Sequence, residues 1–163
     1  MAPTLAWGDD GTIIQQPHSS EDCLYLNLFA PQAPKPDAQL AVMVFFHGGG
    51  FTGGSGNQDW VGPDYLVPKN VILINVNYRL GPFGFLSFRN TECPGNYGLK
   101  DQCLALKWIQ NNISAFGGNP DNVTIFGQSA GGAAVQYHFL SPASKGLFAK
   151  GIAQSGSVLN RWA

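Results

Sequence analysis

The chain has 163 residues, of which 44% are hydrophobic and 12% are charged, and its formal net charge is −1. This length suits one hydrophobic core rather than two domains. The balanced charge and the lack of a basic run argue against a nucleic-acid-binding surface. The longest apolar run, residues 40–46, is a strand's length and far too short to span a membrane.

The amino-terminal segment holds turn-forming residues, GDDG at 8–11 and Pro17, without a periodic pattern. Residues 1–22 lack the charged-then-apolar pattern of a signal peptide, so the signal of a secreted parent protein would lie outside this sequence. The first strand is predicted over residues 24–30. The Pro-rich stretch at 31–37 is predicted to be a surface loop, because strand signals flank it closely.

The middle of the chain alternates between strand and helix signals. Continuous apolar runs at 40–46 and 71–77 predict strands that are buried on both faces. A glycine-rich loop at 48–56 follows the first run, and a short helix is predicted over 59–67, ending at Pro68. A longer helix is predicted over 97–116, with an apolar stripe formed by Leu99, Leu104, Leu106, Trp108, Ile109 and Ile113. With a last strand at 150–154, this alternation predicts a mainly parallel sheet with helices on both faces.

The most informative stretch is residues 116–132, which read FGGNPDNVTIFGQSAGG. Its β-branched and aromatic run at 123–126 predicts a buried strand, and the small residues after Ser129 lead into a helix. A strand, a sharp turn with serine at its apex, and a helix form the context of a nucleophile elbow. Gly127 and Gly131 leave room for close backbones, so we expect Ser129 to have a strained, positive-φ conformation at a helix N-terminus. The alternative is an ordinary Gly-Ser turn.

Further motifs accompany this stretch in a fixed order: EDCLYLNL at 21–28, HGGGF at 47–51, NYRLG at 77–81, GNYGLKDQ at 95–102 and QSGS at 154–157. Together with VTIFGQSAG at 123–131, they resemble the type-B carboxylesterases, the cholinesterase-like branch of the α/β-hydrolases, and most of all the insect carboxylesterases. The resemblance covers nearly the whole chain. It implies that residues 1–163 form the N-terminal portion of an α/β-hydrolase fold. Gln128 departs from the family pattern, where many members carry glutamate, but the serine itself is intact.

The resemblance implies a function and a set of site residues. The function is hydrolysis of small carboxylic esters through an acyl intermediate on Ser129, without metal or cofactor. The backbone amides of Gly49, Gly50 and Ala130 would form the oxyanion hole. The resemblance also implies a mostly buried structural ion pair between Arg79 and Asp101.

The glycine loop has a rival interpretation, because Gly48-x-Gly50-x-x-Gly53 after a strand also fits a dinucleotide-binding fingerprint. That fingerprint needs a helix that opens at the loop, whereas residues 52–59 are polar and glycine-rich. It also needs an acidic residue after the next strand, and residues 71–77 end in asparagine instead. The oxyanion interpretation requires neither feature.

The general base and the acid of a serine triad are not evident. In this fold they follow the serine, yet no Asp or Glu follows Ser129. His138 follows it by nine residues, half a helical turn out of phase, so we expect it to face away. His47 is expected to support the glycine loop, and His18 precedes that loop. We therefore interpret residues 1–163 as a partial domain that is inactive alone, its acid and base belonging to a missing C-terminal part.

Two alternatives remain to the interpretation that residues 1–163 carry half of an esterase site. One is a truncated product without activity. The other is a cholinesterase-like adhesion protein without catalysis, against which the presence of Ser129 argues, because such proteins have lost the nucleophile.

The cysteines and the glycosylation sequons leave questions open. The resemblance implies that Cys23 pairs with a cysteine further upstream, but residues 1–22 contain none. Cys93 and Cys103 either form a disulfide or remain buried thiols. Asn112 and Asn122 begin N-x-S/T sequons. The first ends a helix and suits a glycosylated parent, whereas the second runs into a core strand and is expected to be unused.

Overall fold

The computed structural model describes residues 20–32 and 37–163, together with two strands nearer the amino terminus, β1 (Leu5–Trp7) and β2 (Ile13–Gln15). These two strands pair antiparallel. The sequence predicts no strand there, because three-residue strands are too short to show an alternating pattern. The predicted turns at 8–11 and Pro17, His18 and the middle of the loop at 31–37 lie outside the described residues.

The central sheet has five strands in the order β3-β5-β4-β6-β7. They are β3 (Leu26–Phe29), β4 (Leu40–Phe46), β5 (Val71–Val76), β6 (Gly118–Gln128) and β7 (Lys150–Gln154). All neighbours are parallel except β3, which runs antiparallel to β5. The mainly parallel sheet is thus confirmed. The predicted bounds hold for β4 and β7, while β6 begins five residues earlier than expected.

The described residues form three α-helices beside the sheet: α1 (Gly81–Phe85), α2 (Tyr97–Asn112) and α3 (Ala130–Leu140). The predicted helix at 97–116 is present, but its last turn tightens into a 3₁₀ helix at Ile113–Phe116. The short helix predicted over 59–67 is wrong. That segment forms turns, followed by a 3₁₀ turn at Val67–Lys69. The Gly62-Pro63 pair explains the failure, since both residues disfavour a helix interior.

One face of the sheet carries the hydrophobic core. Leu106, Ile109 and Ile113, at helical spacing, pack with Val135 of α3 against buried side chains of the strands, namely Val42, Val44, Phe46, Ile72, Ile74, Val76, Val123 and Ile125. Two members of the predicted stripe, Leu104 and Trp108, point elsewhere and are exposed. Because α2 and α3 share this face, the expectation of helices on both faces is wrong for the described chain.

The opposite face of β5 is covered by a loop segment rather than by a helix. Leu73 and Asn75 are fully buried there, and the Asn75 side-chain amide donates to the Val61 carbonyl oxygen at 2.7 Å. β7 forms one edge of the sheet, with all five of its residues exposed. Within the described ranges, none of the helices has the length and apolar character that crossing a bilayer requires.

Candidate active site

Two loop segments leave the sheet side by side at the carboxyl ends of its strands. β4 and β6 are parallel neighbours, and Phe46 pairs with Gly127 near their carboxyl ends. The residues after Phe46 open the glycine loop, and those after Gly127 lead into the turn at Ser129. Parallel strands carry their following loops to the same edge of a sheet, which is where ligands bind in open α/β folds. The two segments that the sequence singles out therefore meet.

Ser129 is the apex of the turn between β6 and α3. Its backbone has φ 57° and ψ −121°, a strained conformation outside the left-handed helical well, as the sequence predicts. Its amide donates to the Gln154 carbonyl oxygen of β7 at 2.8 Å. A side chain on Gly131 would overlap the Phe46 carbonyl oxygen, so glycine is required where the turn crosses β4. Ser129 thus stands beside the first turn of α3, where the helix dipole favours negative charge.

The glycine loop lies against this turn. A Cβ built on Gly48 would be 3.2 Å from Ser129 Cβ and 2.7 Å from the Gln128 carbonyl oxygen. Gly49 and Gly50 have φ of 112° and 61°, and both are exposed. The loop therefore borders the serine on the same side of the sheet, with its backbone open to a ligand.

His47, which directly precedes the glycine loop, is buried, with 5% of its surface exposed. Its Nδ1–H donates to the Gly48 carbonyl oxygen at 2.8 Å, and its ring stacks on Tyr78 with centroids 4.3 Å apart. Burial lowers the pKa of His47 to about 4, although its bond to Gly48 opposes the shift. The imidazole is therefore neutral at pH 7 and supports the loop.

His138 lies in the interior between α2 and α3. Its Nε2–H donates to Gln102 Oε1 at 2.9 Å, and its Nδ1 accepts from the Ser144 hydroxyl at 2.8 Å. Burial lowers its pKa to about 4. Both ring nitrogens are occupied, so His138 is a packed histidine. Of the two histidines that the structure describes, neither hydrogen-bonds to the Ser129 hydroxyl.

Arg79 and Asp101 form the expected ion pair, which lies between β5 and α2. Arg79 Nη2 donates to Asp101 Oδ1 and Arg79 Nε to Oδ2, both at 2.8 Å, while the Arg79 backbone amide donates to Oδ2 at 3.0 Å. The Asp101 side chain is 6% exposed but that of Arg79 is 38% exposed. The pair is therefore half-buried rather than mostly buried, because the guanidinium reaches the surface over the Tyr97 ring.

The cysteines are all free thiols. Cys103 is buried and its Sγ–H donates to the Ala143 carbonyl oxygen at 3.2 Å, whereas Cys93 is only half-buried and its Sγ–H donates to the Leu86 carbonyl oxygen at 3.3 Å. The disulfide that the sequence leaves open between them does not form, because the two thiols face different loops. Cys23 is half-buried, and burial raises the pKa of its thiol.

Three residues near the site have no role that the sequence motifs alone assign. The Tyr78 hydroxyl donates to the His47 carbonyl oxygen at 2.6 Å. The Gln154 carbonyl holds the Ser129 amide, and a side chain on Gly156 would collide with the Ser129 carbonyl oxygen. All three belong to the motifs NYRLG and QSGS, but only the fold brings these motifs to the elbow. The one sequence signal that could have indicated a role for Tyr78 is general: the hydroxyl of a buried tyrosine usually has a hydrogen-bond partner.

Comparison with known proteins supplies a family. The profile of the carboxylesterase family matches residues 5–163. Juvenile hormone esterase of Tribolium castaneum is 55% identical over 144 residues, covering 88% of this chain and 24% of that protein. Venom carboxylesterase-6 of Apis mellifera is 51% identical over 144 residues, covering 88% of this chain and 26% of that protein.

A solved structure agrees with these sequences. The crystal structure of juvenile hormone esterase from Manduca sexta, with OTFP covalently attached, superposes with a TM-score of 0.85 at 49% identity, covering 89% of this chain and 27% of that one. That enzyme is an α/β-hydrolase, which confirms the predicted fold class. The chain spans about a quarter of the length of these relatives.

Proposed function

The chain belongs to the carboxylesterase family, and on that basis we propose that it carries the nucleophilic half of a serine esterase site. The observation that supports this most directly is the strained turn at Ser129, with φ 57° between β6 and α3. Structures keep such strain where the surroundings over-determine it, which happens mostly at functional sites. Ser129 is also partly exposed, so a small ester can reach its hydroxyl.

In the proposed reaction, Ser129 Oγ forms a bond to the ester carbonyl carbon while its proton passes to a general base. The negative charge that develops on the carbonyl oxygen is bound by the backbone amides of Gly49, Gly50 and Ala130. Each donor would stabilise the transition state by about 3 kcal/mol if it behaves like other oxyanion-hole donors. The bond to the alcohol oxygen then breaks, the alcohol leaves with the proton, and water releases the acid from the acyl-serine.

We propose that the general base and the acid lie outside residues 1–163. The sequence has no Asp or Glu after Ser129, and the two described histidines are engaged elsewhere, His47 with Gly48 and His138 with Gln102 and Ser144. The relatives are about four times longer than this chain, which leaves ample sequence for both groups. We refer below to the longer protein that would carry this chain as the complete esterase.

The substrate is proposed only as a class, a small carboxylic ester. The two reported relatives, a juvenile hormone esterase and a venom carboxylesterase, are 55% and 51% identical to the chain, too close to each other to select between their substrates. The OTFP attached covalently to the Manduca sexta enzyme supports a covalent mechanism in the family. Acyl and alcohol pockets must be built largely by other segments, so substrate choice is decided outside the elbow.

A covalent probe tests this proposal. The complete esterase is treated with an alkyl fluorophosphonate, and the modified peptide is identified by mass spectrometry. We expect a single adduct on Ser129, and the Ser129→Ala variant should lose both the adduct and the turnover of p-nitrophenyl butyrate. Ser20→Ala, which removes an exposed hydroxyl on the segment before β3, is the matched control and should keep both.

The same experiment separates the alternatives. A non-catalytic, cholinesterase-like protein would retain Ser129 unlabelled under conditions that label an active esterase. An adduct on another serine, with turnover that survives Ser129→Ala, would show that the nucleophile has been misassigned. The proposed function then fails.

A further inference from the structure

The three proposed oxyanion donors can be compared by asking what holds each amide in place. A peptide group is planar, so fixing its carbonyl oxygen also fixes the direction of the N–H on the next residue. The Ala130 amide shares a peptide with the Ser129 carbonyl, whose oxygen accepts from the Ala133 amide at 3.0 Å in the first turn of α3. A helical hydrogen bond therefore orients this donor.

The second donor is oriented by the loop's own turn. The Gly50 amide shares a peptide with the Gly49 carbonyl, whose oxygen accepts from the backbone amides of Thr52 and Gly53, both at 3.0 Å. The Thr52 hydroxyl adds a third contact at 3.2 Å. Backbone hydrogen bonds thus suffice for this donor as well.

The third donor is different, because a side chain holds it. The Gly49 amide shares a peptide with the Gly48 carbonyl, whose oxygen accepts from His47 Nδ1–H at 2.8 Å. In the part of the chain that the structure describes, no backbone amide contacts that oxygen. The direction of the Gly49 amide consequently depends on where the His47 ring lies.

Tyr78 fixes that ring. It is 2% exposed, and its ring lies against the His47 ring with an interplanar angle of 17°. Its hydroxyl donates to the His47 carbonyl oxygen at 2.6 Å, so one side chain holds both the ring and the main chain of His47. Gly54 closes the other side, where a Cβ would overlap both His47 Nδ1 and the Gly48 carbonyl oxygen. Gly54 therefore packs directly against the bond between His47 and Gly48.

We propose that Tyr78 is a positioning residue for ester hydrolysis: it acts through His47 to aim the Gly49 amide at the oxyanion. This inference rests on the proposed function, since it gives the Gly49 amide its role. Tyr78 touches neither the substrate nor Ser129 in this scheme. Its effect should appear only where charge develops on the ester oxygen, and not in the binding of the ground-state ester.

The test compares kinetics in the complete esterase. Tyr78→Phe keeps the ring stack but removes the hydroxyl, and we expect kcat to fall about 10-fold while KM stays within twofold. His47→Ala removes the bond to Gly48 and should lower kcat about 100-fold, the lower range for losing one oxyanion donor. His47→Asn places an amide N–H near the position of Nδ1 and should recover most of that loss. Affinity for a trifluoromethyl ketone, which forms a tetrahedral adduct, should weaken in parallel with kcat/KM.

A matched control separates positioning from stability. Ser144→Ala removes the hydroxyl that supports the other buried histidine, His138, and it should leave kcat unchanged despite a similar loss of stability. If Tyr78→Phe keeps wild-type kcat, or if His47→Asn is as slow as His47→Ala, the inference is wrong while the proposed function stands. If Ser129→Ala retains turnover, the proposed function fails, and the positioning role of Tyr78 fails with it.

Discussion

The two buried histidines have the same physical character but different surroundings. His47 and His138 are 5% and 3% exposed, and burial lowers the pKa of each to about 4. His47 follows the carboxyl end of β4 and holds an exposed glycine loop beside Ser129. His138 lies in the interior, with Gln102 on one ring nitrogen and Ser144 on the other. Burial and a shifted pKa therefore do not identify a catalytic base, whereas the partners of the ring nitrogens reveal what each histidine does.

The comparison extends to how the two regions are connected. Arg79 directly follows Tyr78, which supports His47, and Asp101 directly precedes Gln102, which supports His138. The ion pair between Arg79 and Asp101 thus joins the end of β5 to the start of α2 where both histidine environments begin. Sequence neighbours of this ion pair thus support both histidines, and of the two histidine environments that of His47 borders the turn at Ser129.

The largest effect we predict concerns activity. If neither histidine is the general base, the 163-residue chain alone should show no multiple turnover of an activated ester. The oxyanion donors leave at most a residual rate that is small beside that of a complete triad, since a triad without one member keeps about 10³–10⁴-fold over water. Purified chain is assayed with p-nitrophenyl acetate beside Ser129→Ala, His47→Gln and His138→Gln. Turnover that is lost in Ser129→Ala and also in one histidine variant would identify that histidine as the general base. The interpretation of His47 as a support of the glycine loop and of His138 as a packed histidine would then be wrong for that residue.

Much of this arrangement could be predicted from sequence, and the reasons for the failures are physical. The strand at 40–46 is predictable because an unbroken apolar run marks it, and the positive φ of Ser129 follows from the glycines around it. The strand at 150–154 reads KGIAQ and follows from the alternation of strands and helices along the chain. Helical phase predicts only that His138 faces away from Ser129, which suits a packed histidine and a surface histidine equally. Its partners come from positions 102 and 144, a long-range contact that no local pattern encodes.

Other features depend on tertiary structure in the same way. Among the described residues, α2 and α3 pack on the same face of the sheet, an outcome that the alternation of strands and helices does not determine. The half-exposure of Arg79 depends on how its side chain leaves the ion pair, which sequence does not show. Tyr78 lies 31 residues from His47, so the support it gives the glycine loop becomes visible only in the fold.

The next largest effect is the dependence of stability on pH. A folded-state pKa of about 4 lies below the ordinary 6.5 of histidine, so the unfolded chain binds more protons between these values. Each neutral, buried histidine therefore contributes about 3 kcal/mol to the free energy of unfolding. This stabilisation is complete above pH 6.5 and is lost as the pH falls towards 4. Urea unfolding of the chain at pH 4 to 7.5 measures it. His47→Gln and His138→Gln should each reduce the pH slope in this window by a similar amount, and a slope that neither variant changes would contradict the shared character of the two sites.

The connection between the two regions gives a smaller effect. Asp101→Asn removes the charge that accepts three hydrogen bonds from Arg79, and we expect the free energy of unfolding to fall by about 1–3 kcal/mol. The 3–5 kcal/mol of a fully buried pair does not apply, because water can solvate the 38% exposed guanidinium. Asp121→Asn, an exposed substitution of the same kind that breaks no ion pair between described residues, is the control and should change stability by less than about 0.5 kcal/mol. Equal losses in the two variants would show that the pair does not stabilise the junction.

The smallest effect separates the two regions most cleanly. Ser144→Ala leaves His138 Nδ1 buried without its hydroxyl partner, and the expected cost is about 1–2 kcal/mol of unfolding free energy. Tyr78→Phe should cost a similar amount, since it leaves the buried His47 carbonyl oxygen unpaired. Hydrogen exchange measured by mass spectrometry then distinguishes them: Ser144→Ala should speed exchange in α2 and α3, and Tyr78→Phe in residues 47–54. If both variants loosen the same segment, the interior and the glycine loop open as one unit, and the functional difference between the two histidines would have to rest on chemistry alone.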